Sequence, residues 1–561
     1  MFKFKTSTGL FLFALAASTS SSFSNSLCEQ QDIKSLKEHI ASNCTSSDQT
    51  CNIDTPVAIY SKDAAQLPTP LPPIEIKENG ALCVTNDTLK DPIELSAQSF
   101  FINNGLMQFG TASSPLKNKI TIKMTGKKSA APAPKPLCKD TDSGIIECST
   151  IAEDSANTPN GRDITVMGSG KLKLYGAKGL TKNRDTSEFY VDHKPTKNQT
   201  TAGDDTYIQL NRDDYFNNIY GNQSWTFLSQ PAGPSYYDSE HAWVSSPVSY
   251  SSIDVYVDGE TKPLTIDPAN YANYLMLSKN IDKDPDTTWQ PGDWISVSTT
   301  SFSSHQTEIV QICKIHQVDN PERFSAKPPP IKLNYTLPDT VSLIQLADGT
   351  TTCDNGETLA ATPLKHYHFG SLAPTPGIFD ASDNGKDFTN SDDQTFQPKV
   401  GQSYRMYDGA ERNYGIDERA EVALLSRNIK FTSDARPGGD GFDHLQPQFF
   451  GGHIAVMNHD GKPNPEVKVE LVGVELEKFG QAMVGRYPVH LHRLNKDGGS
   501  VADPNQLLLQ DVSVHHSFNK CFVVHETKSA KLHNNVCVRT VGQGIYLKTV
   551  QMFQEIHLYV I

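Results

Sequence analysis

The sequence predicts an all-β protein built around a right-handed parallel β-helix, which a smaller β domain precedes. From Gly451 to Leu547, short runs with alternate apolar residues follow one another, broken by Gly and Asn, and no helical 3.6-residue period extends through them. V-x-V pairs recur at Val472/Val474, Val512/Val514 and Val536/Val538, and the last two pairs lie 24 residues apart. One strand pair per period of roughly 20–25 residues is typical of a stacked β-solenoid.

The first 26 residues predict a secretory signal peptide. Lys3 and Lys5 supply the charged end, Gly9–Ala17 the apolar core, and the Ser-rich run that follows a cleavage region. The apolar core is too short to span a bilayer, and no later stretch reaches about 18 consecutive apolar residues. We therefore expect a secreted protein, extracellular, periplasmic or at the cell surface, with no membrane span after signal removal.

The ten cysteines fit an exported protein, because disulfides persist in oxidising compartments. Cys521 and Cys537 lie within apolar strands and are interpreted as small core residues. No CxxC or HExxH motif occurs, so the sequence indicates no metal site. Six cysteines precede residue 150 and predict a disulfide-stapled N-terminal part: Cys28, Cys44, Cys51, Cys83, Cys138 and Cys148.

The net charge of −14 argues against a general nucleic-acid binder, since phosphate binding needs a cationic surface. An acidic polysaccharide would likewise require a local basic patch. Arg486, Arg493 and Lys496 are the candidates for such a patch.

The pattern along the chain divides it into six segments. After the signal comes a Cys-rich stretch of mixed polarity, and then the runs NKITIKMTG and GRDITVMGSGKLKLYGAKG, which alternate around Gly turns. A polar, aromatic-rich stretch without clear period follows, and clean alternation returns at Trp289. The segments are 1–26, signal peptide; 27–90, Cys-rich leader; 91–180, β domain; 181–288, loop-rich β segment; 289–547, parallel β-helix; and 548–561, an atypical tail.

Several motifs resemble the cell-surface hyaluronidase family, in order, between about Pro92 and Leu547. The segment 91–180 resembles the opening of its eight-glycine (G8) domain. The other motifs are WQPGDWISVSTTSFSSHQTEIVQI, GIDERAEVALLSRNIKF, GQAMVGRYPVHLH, VSVHHSFNKCFVVHE and NNVCVRTVGQGIYL. The resemblance implies an exported protein that binds, and as an enzyme depolymerises, hyaluronan or a related extracellular polysaccharide. It also suggests calcium as a cofactor, because the family's hydrolase activity is described as calcium-dependent.

The C-terminal tail departs from the family pattern. Relatives continue with an acidic turn and further coils, whereas here Leu547 is followed by KTVQMFQEIHLYVI. An uncapped solenoid exposes the core and edge of its last coil. The sequence therefore predicts either a truncated, inactive relative or a tail that folds back as a cap.

Strand alternation around YPVHLH places the candidate site residues. Arg486, His490 and His492 share one face with Pro488, while the other face is apolar and should fill the coil. Guanidinium groups bind carboxylates bidentately, and imidazoles transfer protons near neutrality. His490 and His492 are the candidate catalytic residues. The candidate substrate-binding residues are Arg486, Tyr487, Arg493 and His525.

Glycoside hydrolysis usually needs two carboxyl groups about 5–9 Å apart. Glu475 and Asp417 are the catalytic candidates, with Glu477, Glu418, Glu421 and Asp511 as further sources. A lyase would instead use a cation to neutralise the uronate and His or Tyr as base, a role that Arg486, Tyr487 and His490 would fill. These residues are compatible with three functions: a hydrolase, a lyase and a non-catalytic β-helical adhesin. Asn534 and Asn535 are predicted to hydrogen-bond backbone in a turn.

Overall fold

The structure is a computed structural model, and it places the chain in two β units. The residues described with their surroundings are 27–29, 33–44, 49–126, 162–178, 257, 260, 262, 264–266, 273–275, 277, 281, 289–298, 307–317, 342–365, 422–433, 450–457, 467–481, 484–494, 506–527 and 530–548, together with the backbone of the strand residues 137–140, 146–149, 208–209, 253–255, 276, 318–319, 340–341, 402–405, 411–414, 421 and 556–560. The signal-peptide prediction for residues 1–26 lies outside this part.

The first unit is a parallel β-helix formed by strands on both sides of an insertion, residues 179–428. One α-helix, α1 (Leu36–Asn43), and two 3-10 helices, Leu27–Glu29 and Ser61–Gln66, accompany its first coils. Its strands before the insertion are β1 (Lys34–Ser35), β2 (Cys51–Ile53), β3 (Pro56–Ala58), β4 (Ile74–Ile76), β5 (Ala81–Val84), β6 (Ile93–Ala97), β7 (Phe100–Asn103), β8 (Leu106–Phe109), β9 (Ile120–Met124), β12 (Asp163–Met167) and β13 (Lys171–Tyr175). Between β9 and β12, strands β10 (Leu137–Asp140) and β11 (Ile146–Ser149) form a separate antiparallel pair.

The second unit is the insertion itself, whose strands pair antiparallel. The six-stranded sheet in it runs β14-β23-β18-β19-β20-β17. Its strands are β14 (Ile208–Gln209), β15 (Ile253–Val255), β16 (Leu264–Ile266), β17 (Tyr274–Met276), β18 (Trp294–Val297), β19 (Glu308–Asp319), β20 (Thr340–Leu346), β21 (Gln402–Arg405), β22 (Glu411–Tyr414) and β23 (Glu421–Leu424).

The chain then returns to the solenoid and adds coils in the same two sheets. The strands are β24 (Ile429–Ser433), β25 (His453–Met457), β26 (Lys468–Val472), β27 (Val474–Glu477), β28 (Val489–His492), β29 (Leu507–Gln510), β30 (Ser513–Ser517), β31 (Phe522–His525), β32 (Ala530–Thr540), β33 (Ile545–Lys548) and β34 (Ile556–Val560).

The solenoid has two parallel sheets, and the predicted all-β parallel β-helix is confirmed. The first sheet, of 14 strands, runs β1-β3-β5-β8-β13-β26-β29-β32-β30-β27-β24-β9-β6, with β34 on β32. The second sheet runs β2-β4-β7-β12-β25-β28-β31-β33. Because the long strand β32 joins two limbs of the first sheet, a coil contributes one strand to the second sheet and two to the first. The V-x-V spacing had predicted two strands per coil.

Alternate residues of these strands stack inside the coils. In the second sheet, register partners form a continuous buried aliphatic ladder, whose members have no exposed surface. Each buried aliphatic side chain contributes roughly 1.5–3 kcal/mol relative to exposure, which makes this ladder a main source of stability. The ladder is Ile76, Ile102, Val166, Val456, Leu491 and Val524.

The domain boundaries expected from the sequence differ from those of the sheets. Residues 27–90, expected as an irregular leader, contain β1–β5, and Leu36 and Ile40 of α1 pack into the solenoid core. Conversely, the alternating run from Trp289 lies in the antiparallel insertion. Strands of two to four residues carry too few positions to show a period, and alternation alone does not distinguish parallel from antiparallel pairing.

The repeat offset in the last coils is 23 residues, one fewer than the valine pairs indicate. Ser513 is the register partner of Val536, and Val514 that of Cys537. A one-residue shift moves every side chain to the opposite face. Cys537 therefore points into the solenoid, where it is bonded to Cys521, while Val536 and Val538 pack in the hydrophobic cluster of the insertion.

Cysteine pairing supports the predicted disulfide-stapled N-terminal part and adds two bonds further on. The interpretation of Cys521 and Cys537 as core residues is confirmed for their burial, although they are also cross-linked. The disulfides among the described residues are Cys28–Cys83, Cys44–Cys51, Cys313–Cys353 and Cys521–Cys537.

The tail segment continues the first sheet, since β34 pairs in parallel with β32. Within the part of the chain that the structure describes, no helix has the length and apolar character needed to cross a membrane.

Candidate functional site

Three imidazoles gather on the outer face of the second sheet. His490 and His492 lie two residues apart on β28, so both leave the same side of the strand. His525, on β31, is the register partner of His492. Ring centroids are 4.8 Å apart for His492 and His525, and 5.0 Å for His490 and His492. We refer to His490, His492 and His525 as the imidazole cluster.

The inward residues of β28 fix the orientation of the cluster. Val489 and Leu491 are fully buried in the solenoid core, as the alternation predicted. Since the two apolar side chains cannot leave the core without exposing that surface, His490 and His492 are held on the outer face.

Burial keeps two of these imidazoles neutral. Burial lowers the pKa of His490 to about 3, and the nearby His492 adds to this effect. Burial also lowers the pKa of His492 to about 4, with a further contribution from His525. At pH 7 both rings therefore carry a nitrogen lone pair that can accept a proton or bind a metal ion.

Arg486 and Tyr487, expected to bind substrate, are both buried next to the cluster. Arg486 Nη1 lies 2.7 Å from His453 Nε2 and donates to it, because a guanidinium cannot accept. Burial, and then the charge of Arg486, lower the pKa of His453 well below its usual range. The Tyr487 ring meets His490 edge-on with centroids 5.0 Å apart. Tyr487 thus packs against the cluster, Arg486 bonds to His453, and neither side chain is exposed to solvent.

Cations that solvent can reach lie beside the cluster. Arg493, whose side chain is 37% exposed, has its Nε 3.3 Å from Glu526 Oε2. Lys520 Nζ is 3.7 Å from the centroid of the Tyr546 ring, a cation–π contact. Lys548 is exposed and is the register partner of His525. We call Arg493, Lys520, Tyr546 and Lys548 the basic strip.

Sequence reasoning missed three members of this strip, Lys520, Tyr546 and Lys548. A signal for two of them was present, because the 23-residue offset that relates β31 to β33 pairs Val523 with Tyr546 and His525 with Lys548. The valine pairs suggested an offset of 24, which hides this relation. Lys520 lies in the turn before β31, where no periodicity applies.

The carboxylates expected near the histidines lie on another sheet. Glu475 and Glu477 belong to β27 of the first sheet, whereas His490 and His492 belong to the second. Glu475 is buried and bonded, with Lys430 Nζ at 2.6 Å and His515 Nε2 at 3.1 Å. Although burial acts to raise the pKa of Glu475, Lys430 and His515 hold it well below its usual range.

The remaining sequence candidates do not join the cluster within the described part of the chain. Asp417, Glu418 and Lys496 lie outside it, as does the side chain of Glu421. Asp511 is fully buried, and its backbone carbonyl accepts a hydrogen bond of 2.8 Å from Arg427 Nε. The predicted backbone hydrogen bonds are made by Asn535, which accepts from the Val512 N–H and donates to the Leu509 carbonyl. They are made within strand β32 and not in a turn, and the buried side chain of Asn534 has no hydrogen-bond partner among the described atoms.

Calcium, the cofactor that the resemblance suggests, does not fit this cluster. Calcium takes six to eight oxygen ligands, mostly carboxylates, carbonyls and water. The cluster instead offers imidazole nitrogens, and the carboxylate in contact with it among the described residues is Glu526, whose Oε1 lies 3.5 Å from His525 Nε2.

Comparisons with known proteins match both parts of the solenoid. Residues 54–184 match the G8 domain, and residues 449–551 match the CEMIP β-helix. The chain is 35% identical over 138 residues to the cell surface hyaluronidase of Danio rerio, and 34% identical over 140 residues to the cell migration-inducing and hyaluronan-binding protein of Mus musculus. It is 34% identical over 137 residues to communication mutant protein F of Dictyostelium discoideum.

These alignments cover 24% of this chain and 10% of each of the three relatives. The G8 match extends from β3 to the start of the insertion, and the β-helix match includes the imidazole cluster and the whole basic strip. The chain thus carries a G8 domain and a CEMIP β-helix, the domain types that relate it to the cell surface hyaluronidases.

Proposed function

We propose that the basic strip binds hyaluronan or a related acidic polysaccharide. The observation that carries the proposal is the gathering of solvent-accessible cations on one face of a protein whose net charge is −14. A polyanion would be repelled by most of this surface and attracted to the strip. The names of the relatives from Danio rerio and Mus musculus support the proposal.

The arrangement of the strip suits an extended chain. Its members lie on or beside consecutive parallel strands, which are spaced about 4.8 Å apart, so the charges follow one another across the sheet. Tyr546 lies two residues before the exposed Lys548 on β33 and offers an aromatic ring on which a sugar can pack. Four disulfides among the described residues indicate an oxidising compartment, and we propose an extracellular or cell-surface location.

Binding to immobilised hyaluronan, measured over a range of salt concentrations, tests the proposal. Lys520→Ala and Lys548→Ala should each raise the Kd about twofold to fivefold, because an exposed ion pair contributes roughly 0.3–1 kcal/mol. Lys90→Ala is the matched control, because Lys90 is exposed and lies between β5 and β6, far from the basic strip in sequence. Equal Kd values for all three variants would contradict the assignment of the strip.

Depolymerisation is a second candidate function, favoured by neutral imidazoles that can accept a proton. The placement of Glu475 and Glu477 on the other sheet favours elimination over hydrolysis. Product analysis with high-molecular-weight hyaluronan distinguishes the outcomes, since only a lyase makes unsaturated ends that absorb ultraviolet light. Shortening with that absorbance indicates a lyase, and shortening without it a hydrolase. Retention of uncleaved glycan indicates a non-catalytic adhesin.

A further inference from the structure

The imidazole cluster also has a geometry close to the one that a bound metal ion requires. One ring nitrogen from each of His490, His492 and His525 can be chosen so that all three lie within 4.8 Å of one another. Tetrahedral zinc holds its nitrogen ligands at 2.0–2.1 Å, which requires nitrogens about 3.3 Å apart. Small side-chain rotations would therefore bring the three lone pairs onto one ion, while the strands β28 and β31 stay in place.

His490 is already oriented as a metal ligand. Its Nδ1 lies 3.1 Å from the carbonyl oxygen of Gly485, and a carbonyl can only accept, so Nδ1 carries the proton. The lone pair is then on Nε2, which is buried and has no hydrogen-bond partner among the described atoms. A backbone carbonyl bonded to the distal nitrogen is the usual support for a metal-binding histidine. A buried nitrogen with an unused lone pair is otherwise unfavourable.

Other groups that could hold a metal ion within the described residues are less suitable. In the group Glu477, His515 and His516, Glu477 is bonded to Lys430 at 2.9 Å, and His515 to Glu475. The carboxylate and one imidazole of this group are thus already engaged in bonds that metal binding would have to break. The third group contains Cys44 and Cys51, which are joined by a disulfide and cannot act as thiolates.

The donor set defines the class of ion. Three imidazole nitrogens suit Zn²⁺, Co²⁺, Ni²⁺ or Cu²⁺, and not Ca²⁺ or Mg²⁺. Three protein ligands also leave one tetrahedral position open, as in catalytic zinc sites. We propose that His490, His492 and His525 form a binding site for a zinc-class transition-metal ion.

This site is independent of the proposed glycan binding, although an ion there would add positive charge beside the basic strip. Metal binding engages the imidazole lone pairs, so the metal-free protein is the form in which these rings can act as bases. Zinc binding and hyaluronan binding can therefore be measured separately, and either proposal can fail alone.

The test uses the untagged full chain, freed of metal with a chelator that is then removed. Titration calorimetry with Zn²⁺ should show one site per chain, and Co²⁺ should give the intense visible spectrum of tetrahedral coordination. His492→Ala and His525→Ala should each weaken zinc binding at least tenfold. His533→Ala, a change of the same kind on β32, should leave it unchanged. Added Ca²⁺ should not compete.

Two results would overturn the proposal. One is the absence of stoichiometric zinc binding to folded, metal-free protein, with folding verified by circular dichroism. The other is an affinity for zinc in both ligand variants equal to that of the parent protein. The variants are made at His492 and His525, which are more exposed, because His490 is buried and its replacement would risk disturbing the fold.

Discussion

At the scale of single residues, buried charges mark the point where the chain re-enters the solenoid. Arg427 is the bulkiest fully buried side chain among the described residues, and its backbone N–H donates to Glu475 Oε2 at 3.0 Å. Lys430 is the register partner of Glu475 and pairs with it at 2.6 Å. These contacts favour a structural role for Glu475, and the catalytic role that the sequence indicated stays a prediction.

Glu475→Gln should therefore act on stability. The change weakens the buried contacts of Glu475 with Lys430 and His515, although Glu477 still pairs with Lys430 at 2.9 Å. We therefore expect a loss of about 2 kcal/mol in the free energy of unfolding, measured by urea denaturation. Glu94→Gln, at an exposed position in the same sheet, is the control. A Glu475→Gln protein with parental stability but no depolymerising activity would restore the catalytic interpretation.

At the scale of elements, alternation and register were predictable to different degrees. The faces of β28 follow from its sequence, since only one arrangement buries Val489 and Leu491. The faces of β32 do not follow from its sequence, because both sides of this strand are buried, one in the solenoid core and the other against the insertion. Cys537 points into the solenoid, and Val538 packs against the insertion. A strand buried on both faces shows no polar alternation, and the valine pairs then suggest a register that is wrong by one residue.

Val538→Asp tests this assignment. A buried valine contributes roughly 1.5–3 kcal/mol, and an aspartate there would also bury a charge, so contact between the insertion and the solenoid should weaken. Limited proteolysis should then cleave within residues 179–428 faster than in the parent protein, while the solenoid fragments persist. Val484→Asp is the matched control, because Val484 is 58% exposed. Cooperative loss of the whole fold would instead place Val538 in the solenoid core.

At the scale of the whole molecule, one solenoid is interrupted by a second β unit. The parallel β-helix was predictable, because its repeats are visible in the C-terminal half. The sequence did not predict that the two halves of the solenoid are continuous. Pairs such as β13 with β26 and β9 with β24 join residues that the insertion separates in sequence. The imidazole cluster could be predicted in part, since two members share one strand, whereas Lys520 and Lys548 depend on the coil register.

The junction between the two units contains a buried ion pair, with Lys178 Nζ 2.7 Å from Asp293 Oδ2. Burial raises the pKa of Asp293, against the opposing effect of Lys178. Lys178→Met should lower the free energy of unfolding by about 3 kcal/mol, measured by urea denaturation. The double variant Lys178→Met, Asp293→Asn should recover most of this loss, since the amide oxygen introduced by the second change can still accept from the Gln290 N–H. A double variant as unstable as the single one would contradict this account.

The position of the insertion also governs how the protein is made. The Lys178 N–H donates to Asn428 Oδ1 at 2.5 Å, although the two residues are 250 positions apart. A ribosome adding about 5–20 residues per second needs roughly 12–50 s to cover that distance. During this interval β9, β12 and β13 have been synthesised, but β24, β25 and β26, which pair with them, have not. The nascent coils thus present three unpaired strand edges, where another chain could add. Translation speed across the insertion should therefore influence the yield of native protein more strongly than translation speed across the later coils.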